Sequence, residues 1–225
     1  MRIQVDGYGE VMELKDRFSC NPLSLSFRDF GGVYLVGGRY LFYAAEYSSA
    51  TSASMVDLNF TDEWQRRKSV FLSTNPNTLI EEINVDFRKL EIYDALDPVD
   101  TSLLYEVLLH QENYISVIEN VAKKTRLSIH IAQPVLKEDL FEIPSSATLL
   151  QFWPQELKDI YRRGSFWPVE PEVKRFETNY WMWGHTQSHL NDIFAGFGWR
   201  SEQEIVVTNV CGDKWDFLLS KYVPE

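Results

Sequence analysis

The stretch Val33-Tyr34-Leu35-Val36-Gly37-Gly38-Arg39-Tyr40-Leu41-Phe42-Tyr43-Ala44-Ala45 decides how the first half of the chain is read. Two apolar runs joined by a Gly-Gly pair have the pattern of a β-hairpin, because glycine enters the left-handed region that a two-residue turn needs without a steric penalty. Upstream, Leu23-Ser24-Leu25-Ser26-Phe27 alternates strictly, the period of a half-buried strand. Downstream, Met55 to Phe60 has strand composition and Ile83-Asn84-Val85-Asp86-Phe87 alternates again. The small-residue stretch from Ser48 to Ser54 is read as a loop between strands. Together these predict an N-terminal, mostly antiparallel sheet built from hairpins.

Asp97-Pro98 then opens a helical region. Leu104, Val107, Leu108, Ile115, Ile118 and Val121 lie close to one helical stripe, read as one helix or as two broken near Asn113, with Lys123 and Lys124 at the C-terminal end, where cations suit the helix dipole. Arg126 to Ile131 returns to strand, which Pro134 ends or places at an edge. The last third is aromatic: six of the seven tryptophans lie between Trp153 and Trp215. Phe152-Trp153-Pro154 opens a helix that stops at Gly164, and a short helix capped by Ser188 carries Leu190, Ile193 and Phe194. Glu204 to Asn209 reads as a strand and Trp215 to Tyr222 as a terminal helix. The expected class is α+β: an N-terminal antiparallel sheet, a central amphipathic helical region and an aromatic-rich C-terminal α/β part. One domain over 1–225 is expected, with a division into 1–145 and 146–225 as the alternative.

Composition limits the function classes. A hydrophobic fraction of 44% argues against disorder, and a net charge of −11 would repel nucleic acid and anionic lipid at long range. No run approaches the roughly 18 uncharged apolar residues of a membrane span, and the N-terminus carries no apolar signal region, so a cytoplasmic location is expected. Cys20 and Cys211 are far apart and lack metal-type spacing, which favours free thiols.

Nucleotide chemistry of the common kinds is not expected. Gly7-Tyr8-Gly9, Gly31-Gly32 and Gly37-Gly38 lack the spacing and the Lys-Ser/Thr partner of a phosphate-cradling loop. No Gly-x-Ser-x-Gly elbow is present, and no known family's motifs are matched residue by residue. His185 and His189 are spaced i, i+4, with Asp192 at i+7. On one continuous helix the three would share a face and could hold a divalent metal such as zinc.

Two features point to partner binding instead. Seven carboxylates between Glu81 and Asp100, among them Glu81, Glu82, Asp86, Glu91 and Asp94, stand against Arg88 and Lys89, and could steer a basic partner. Asp97 and Asp100, in the same segment, look like N-terminal helix caps. Tyr180-Trp181-Met182-Trp183 places four large side chains in succession, too many for one core face, and Tyr and Trp dominate binding hot spots. The expected function is therefore a non-enzymatic, cofactor-free acidic protein of immunity or phage-inhibitor character. It would dock a basic protein such as a toxin or nuclease through Glu81, Glu82, Asp86, Glu91, Asp94, Tyr180, Trp181 and Trp183. The alternatives are a metal-dependent hydrolase using His185, His189 and Asp192, and a small-molecule or glycan binder using the tryptophan cluster.

Overall fold

The computed structural model describes residues 1–5, 8–33, 36–140, 142–143, 145–149, 183–208 and 215–225. Strands β1 (Arg2–Gln4), β2 (Ser26–Phe30), β3 (Ser52–Asp57), β4 (Leu79–Asn84), β5 (Val99–Tyr105), β6 (Thr125–Leu136), β9 (Trp199–Thr208) and β10 (Trp215–Pro224) form one sheet in the order β1-β9-β10-β6-β5-β2-β3-β4. β2, β3, β4, β5 and β6 pair in parallel, β1 pairs in parallel with β9, and only β10 runs antiparallel to its neighbours β6 and β9. A separate two-stranded pair joins β7 (Ala147–Leu149) to β8 (Trp183–His185).

Helices cover both faces. α1 (Tyr8–Ser19), α2 (Arg39–Tyr47) and α3 (Asp62–Thr74) bury Val11, Phe18, Tyr40, Leu41, Trp64 and Phe71 against Phe27, Met55, Leu103 and Phe217. On the other face α4 (Ile92–Ala95), α5 (Tyr114–Lys123) and α6 (Gln187–Gly196) bury Tyr93, Val117, Ile118, Leu190 and Phe194 against Phe30, Leu104, Ile131 and Leu218. The alternation of neighbouring strand residues between the two cores, Leu103 one way and Leu104 the other, follows from the strand period of two.

This is a doubly wound, mostly parallel α/β sheet, and the antiparallel α+β expectation is wrong. The hairpin fails because Gly37 and Gly38, at φ +55° and +74°, lead into α2 rather than into a return strand. Tyr40, Leu41, Ala44 and Ala45 are buried at helical spacing, so apolar residues that would suit a strand satisfy a helix here. The alternating run at Leu23 is displaced too: Leu23 and Leu25 are exposed, and the strand begins at Ser26. The Ser48 to Ser54 loop lies partly in β3, whose small residues pack under α2 and α3. The largest difference lies at Val99–Tyr105, the central strand β5, where the sequence pattern suggests the start of a helical region. A central parallel strand is buried on both faces and shows no alternation, so its apolar run resembles a buried helix. β10 was mistaken for a terminal helix for the same reason: its residues from Trp215 to Ser220 are all buried.

Other expectations shift less. Asn113 is not a helix break but the cap of α5, accepting from the Ser116 amide at 3.2 Å. Thr186, not Ser188, caps α6. Asp97 and Asp100 cap no helix; the Asp100 carboxylate accepts from the amides of Leu25 and Ser26 at 2.9 and 3.1 Å, tying β5 to the start of β2. Pro134 lies within β6, beyond the last β5 pairing at Tyr105–Ala132, where β10 is the strand's paired neighbour. The helix expected from Phe152 to Gly164 lies outside the described residues. Among the described residues, no helix is long and apolar enough to cross a membrane.

The glycines permit a paired test. A Cβ at Gly38 would land on the Trp64 ring in a left-handed backbone, whereas nothing approaches a Cβ at Gly196. Gly38→Ala should cost about 2 kcal/mol or more of unfolding free energy in urea. Gly196→Ala, in the last turn of α6, should be neutral or stabilise by up to about 1 kcal/mol.

Candidate ligand-binding crevice

The chain leaves β2 towards β3 on one side, while β5 lies on the other, so strand order reverses between β2 and β5. Connections from the two strands diverge there, and the crevice outside their carboxyl ends is where open α/β sheets bind ligands. The residues at this point are Asp29-Phe30 at the end of β2 and Gly31-Gly32-Val33 after it, Asp57 at the end of β3, Asp86-Phe87 after β4 and Glu106-Val107 after β5.

Each is placed by local constraints. Gly31 adopts φ +76°, donates its amide to the Val56 carbonyl at 2.9 Å, and has the Val107 methyl 2.7 Å from where a Cβ would sit. A Cβ at Gly32 would land on the Asp29 carboxylate, so the pair of glycines lets the chain pass close over that acid. The Asp57 carboxylate accepts from the amides of Val33 and Asn59 at 3.1 and 3.2 Å and fixes the loop's far side. Phe87 packs edge-on against Phe30, ring centres 5.9 Å apart.

Asp29 is the unusual group. It is 1% exposed, and apart from a weak approach of the Phe30 amide neither carboxylate oxygen has a hydrogen-bond partner. Burial, helped by the nearby charge of Asp57, pushes its pKa up to about 8. A buried acid with two open acceptors is a costly arrangement that a cationic or N–H-bearing ligand would relieve.

Beside it, Lys15 of α1 reaches across the sheet end to an ion pair with Glu106 and lies over the rings of Tyr40 and Phe217, 5.4 and 4.8 Å from their centres. Glu106 has φ +57°, a left-handed backbone that costs a non-glycine residue about 1–2 kcal/mol. Strain of this kind persists where surrounding contacts enforce it, commonly at a ligand site. Asp16 holds Arg39 bidentately on the same side of the sheet, and burial keeps the Tyr40 and Tyr105 phenols protonated.

Of the expected docking carboxylates, two are tied within the chain and the other three are exposed. Glu82 accepts from Trp64 Nε1, Gln65 and Lys68, Asp86 pairs with Arg88, and Glu81, Glu91 and Asp94 are exposed on the β4 edge and the α4 turn. Tyr180 and Trp181 lie outside the described residues, and Trp183 donates its indole N–H to the Gln111 carbonyl at 3.0 Å. Of the expected metal set, His185 is in β8 and His189 in α6, their rings parallel and 6.1 Å apart, with Asp192 exposed. His189 Nε2 is 2.8 Å from the Tyr114 hydroxyl. Among the described residues no group of three or more His, Cys, Asp or Glu is arranged to hold a metal.

No family model and no curated protein matches the sequence. Solved structures do match in shape. An O-methyltransferase family protein from Burkholderia thailandensis superposes with a TM-score of 0.63 at 13% identity, over 94% of this chain and 55% of its own. The fold is that of the Rossmann-like methyltransferases. The N-terminal domain of EvdMO1, solved in the presence of SAH and D-fucose, gives a TM-score of 0.60 at 13% identity, over 96% of this chain and 82% of its own. Magnesium protoporphyrin IX methyltransferase from Synechocystis PCC 6803, with bound SAH, gives 0.58 at 13% identity, over 97% and 80%. The chain spans about half the length of the Burkholderia protein. A methyltransferase fold whose similar structures hold SAH overturns both the immunity-type inhibitor and the metal-dependent hydrolase expected from sequence. The signal in the sequence that marks the crevice is Asp29-Phe30-Gly31-Gly32 with an acid, Asp57, about one strand–helix–strand unit later.

The raised Asp29 carboxyl has a stability consequence. Its folded-state pKa exceeds the unfolded value, so it contributes stability at low pH that is lost as pH rises towards 8. His130 and His185, both held near 3 mainly by burial, act in the opposite sense, and because the unfolded imidazoles titrate around 6.5 they still add some stability between pH 6.5 and 8. Between pH 6.5 and 8 the protein without ligand should therefore lose about 1 kcal/mol, whereas Asp29→Asn should gain slightly over the same interval. Urea unfolding at both pH values measures the difference.

Proposed function

We propose that the chain is an S-adenosylmethionine-dependent methyltransferase. The observation that carries the reading is the partnerless Asp29 carboxylate at the strand-order switch point, under a Gly-Gly loop and facing the Asp57 side. Those acceptors fit the cofactor, which is cationic, bears ribose hydroxyls and ends in a flat base. When bound, the cofactor supplies an electrophilic methyl group on sulfur.

Asp29 would accept from the cofactor's ammonium group, and gaining a cation would restore the carboxylate form. Asp57, an acid at the end of the next strand, is the natural acceptor for ribose hydroxyls. Phe87 offers an apolar face next to Gly31 for the base, with Asp86 beside it. Lys15 holds Glu106 in one orientation at the tip of β5, so that a carboxylate marks the boundary between cofactor and acceptor. The net acidity of the chain, read from sequence as a steering field for a basic protein, instead favours the approach of a small cation. The similar structures include an N,N-dimethyltransferase besides O-methyltransferases, so the acceptor atom is not part of this proposal.

Isothermal titration calorimetry with S-adenosylhomocysteine tests the reading. One site per chain is expected, with affinity rising as pH goes from 6.5 to 8. Asp57→Ala should weaken binding by about tenfold or more, the usual effect of removing a charge-assisted hydrogen-bond acceptor. Absence of binding by both S-adenosylhomocysteine and S-adenosylmethionine at millimolar concentration would remove the proposal.

A further inference from the structure

A second group of unmet hydrogen bonds lies on the opposite face of the sheet, where β8 crosses the carboxyl end of β6 and the turn that follows β5. Gln133 and His185 are both wholly buried, and the Gln133 side-chain amide nitrogen is 3.3 Å from His185 Nδ1. Gln133 Oε1 and His185 Nε2 are buried without partners, as is Gln111 Oε1, whose own amide nitrogen is spent on the Val107 carbonyl at 3.1 Å.

The chemistry of this pair is complementary by construction. If the amide donates to Nδ1, the imidazole carries its hydrogen on Nε2, leaving one open donor on His185 and one open acceptor on Gln133. If the amide is turned over, Nδ1–H donates and the two open groups exchange character. In either state the pair offers one donor and one acceptor. The walls are flat: Tyr114 stands edge-on to the His185 ring at 4.4 Å and to Trp183 at 5.2 Å, and Trp183 lies nearly parallel to His185. Burial holds His185 uncharged at neutral pH, so the pair brings no cation to receive an anion.

The cluster adjoins the crevice. Val107 packs against Gly31, and Gln111, on the same turn, accepts the Trp183 indole N–H.

We propose that His185 and Gln133, walled by Tyr114 and Trp183, form the acceptor-binding site, and that the acceptor is a flat, uncharged molecule presenting a hydroxyl or amide edge to them. The word acceptor rests on the methyltransferase reading; the ligand chemistry rests on the pair itself. Neither residue is assigned a proton-transfer role: both are specificity residues that select a neutral edge over a charged one.

Naphthol and naphthoate, one flat scaffold in neutral and anionic form, serve as probes in calorimetric titrations at pH 7, with and without saturating S-adenosylhomocysteine. Naphthol should bind at least tenfold more tightly than naphthoate. His185→Phe and Gln133→Met should each weaken naphthol about tenfold while leaving S-adenosylhomocysteine affinity within a factor of two. Gln133→Met, close in shape to the native side chain, decides the matter if His185→Phe does not fold. Equal binding of naphthol and naphthoate, undiminished naphthol binding in the variants, or no naphthol binding overturns the site. Naphthol binding to a chain that binds no S-adenosylhomocysteine would keep the site and sink the methyltransferase reading; the converse result would do the reverse.

Discussion

Because β3 and β5 flank β2 on opposite sides, the chain segments leaving β2 and β5 must part, and no single connection can cover the gap between them. Everything at the site answers to that gap. Gly31 and Gly32 let the backbone turn over the end of β2, and Val107 fills the space that a side chain at Gly31 would take. Lys15 is carried to the gap by α1, a helix that precedes the first central strand, and pairs there with Glu106 in its left-handed backbone. Removing either partner of so buried a pair would unbalance its charge, which ties α1 to the crevice.

The polar groups near the gap divide into two kinds. On the β2 side the groups are acids: Asp29 with both oxygens open, Asp57 holding backbone amides, and Glu106 paired to one lysine. On the β6 side they are neutral: His185, Gln133 and Gln111, set among aromatic rings. That division would suit the proposed transfer from a cationic donor to an uncharged acceptor, since a low-dielectric site discriminates strongly by charge. Lower in the sheet, Asn21, Thr101, Ser128 and His130 form a different kind of buried polar group. Those side chains satisfy one another, with His130 Nδ1 2.7 Å from the Phe18 carbonyl, and so hold α1 to β5 and β6. The contrast between a satisfied network and an open one is what marks the crevice as a site.

Much of the local structure was legible in sequence. The apolar stripe Ile118 and Val121 and the helix carrying Leu190 and Phe194 correspond to real features, because amphipathic surface helices show their period. The sheet was not legible, because its inner strands β5 and β10 are buried on both faces and give no alternation. Gly37-Gly38 misled because a left-handed pair serves a helix entry as well as a hairpin. The site was missed for a related reason. The phosphate-loop template demands residues that Asp29-Phe30-Gly31-Gly32 lacks, whereas a cofactor without a phosphate chain needs only close backbone passage and a buried acid. Spacing in the sequence suggests a metal at His185, whereas its neighbour in the structure is Gln133, distant in sequence and invisible to spacing arguments.

The central claim is that the gap between β2 and β5 holds an S-adenosyl cofactor against Asp29. The most direct measurement is a crystal structure of the protein grown with S-adenosylhomocysteine. The account requires ligand density over Gly31 and Gly32, with its amino group within hydrogen-bond distance of Asp29 and its ribose at Asp57. Density at any other place on the molecule, or a crevice closed by protein side chains over Asp29, would contradict it.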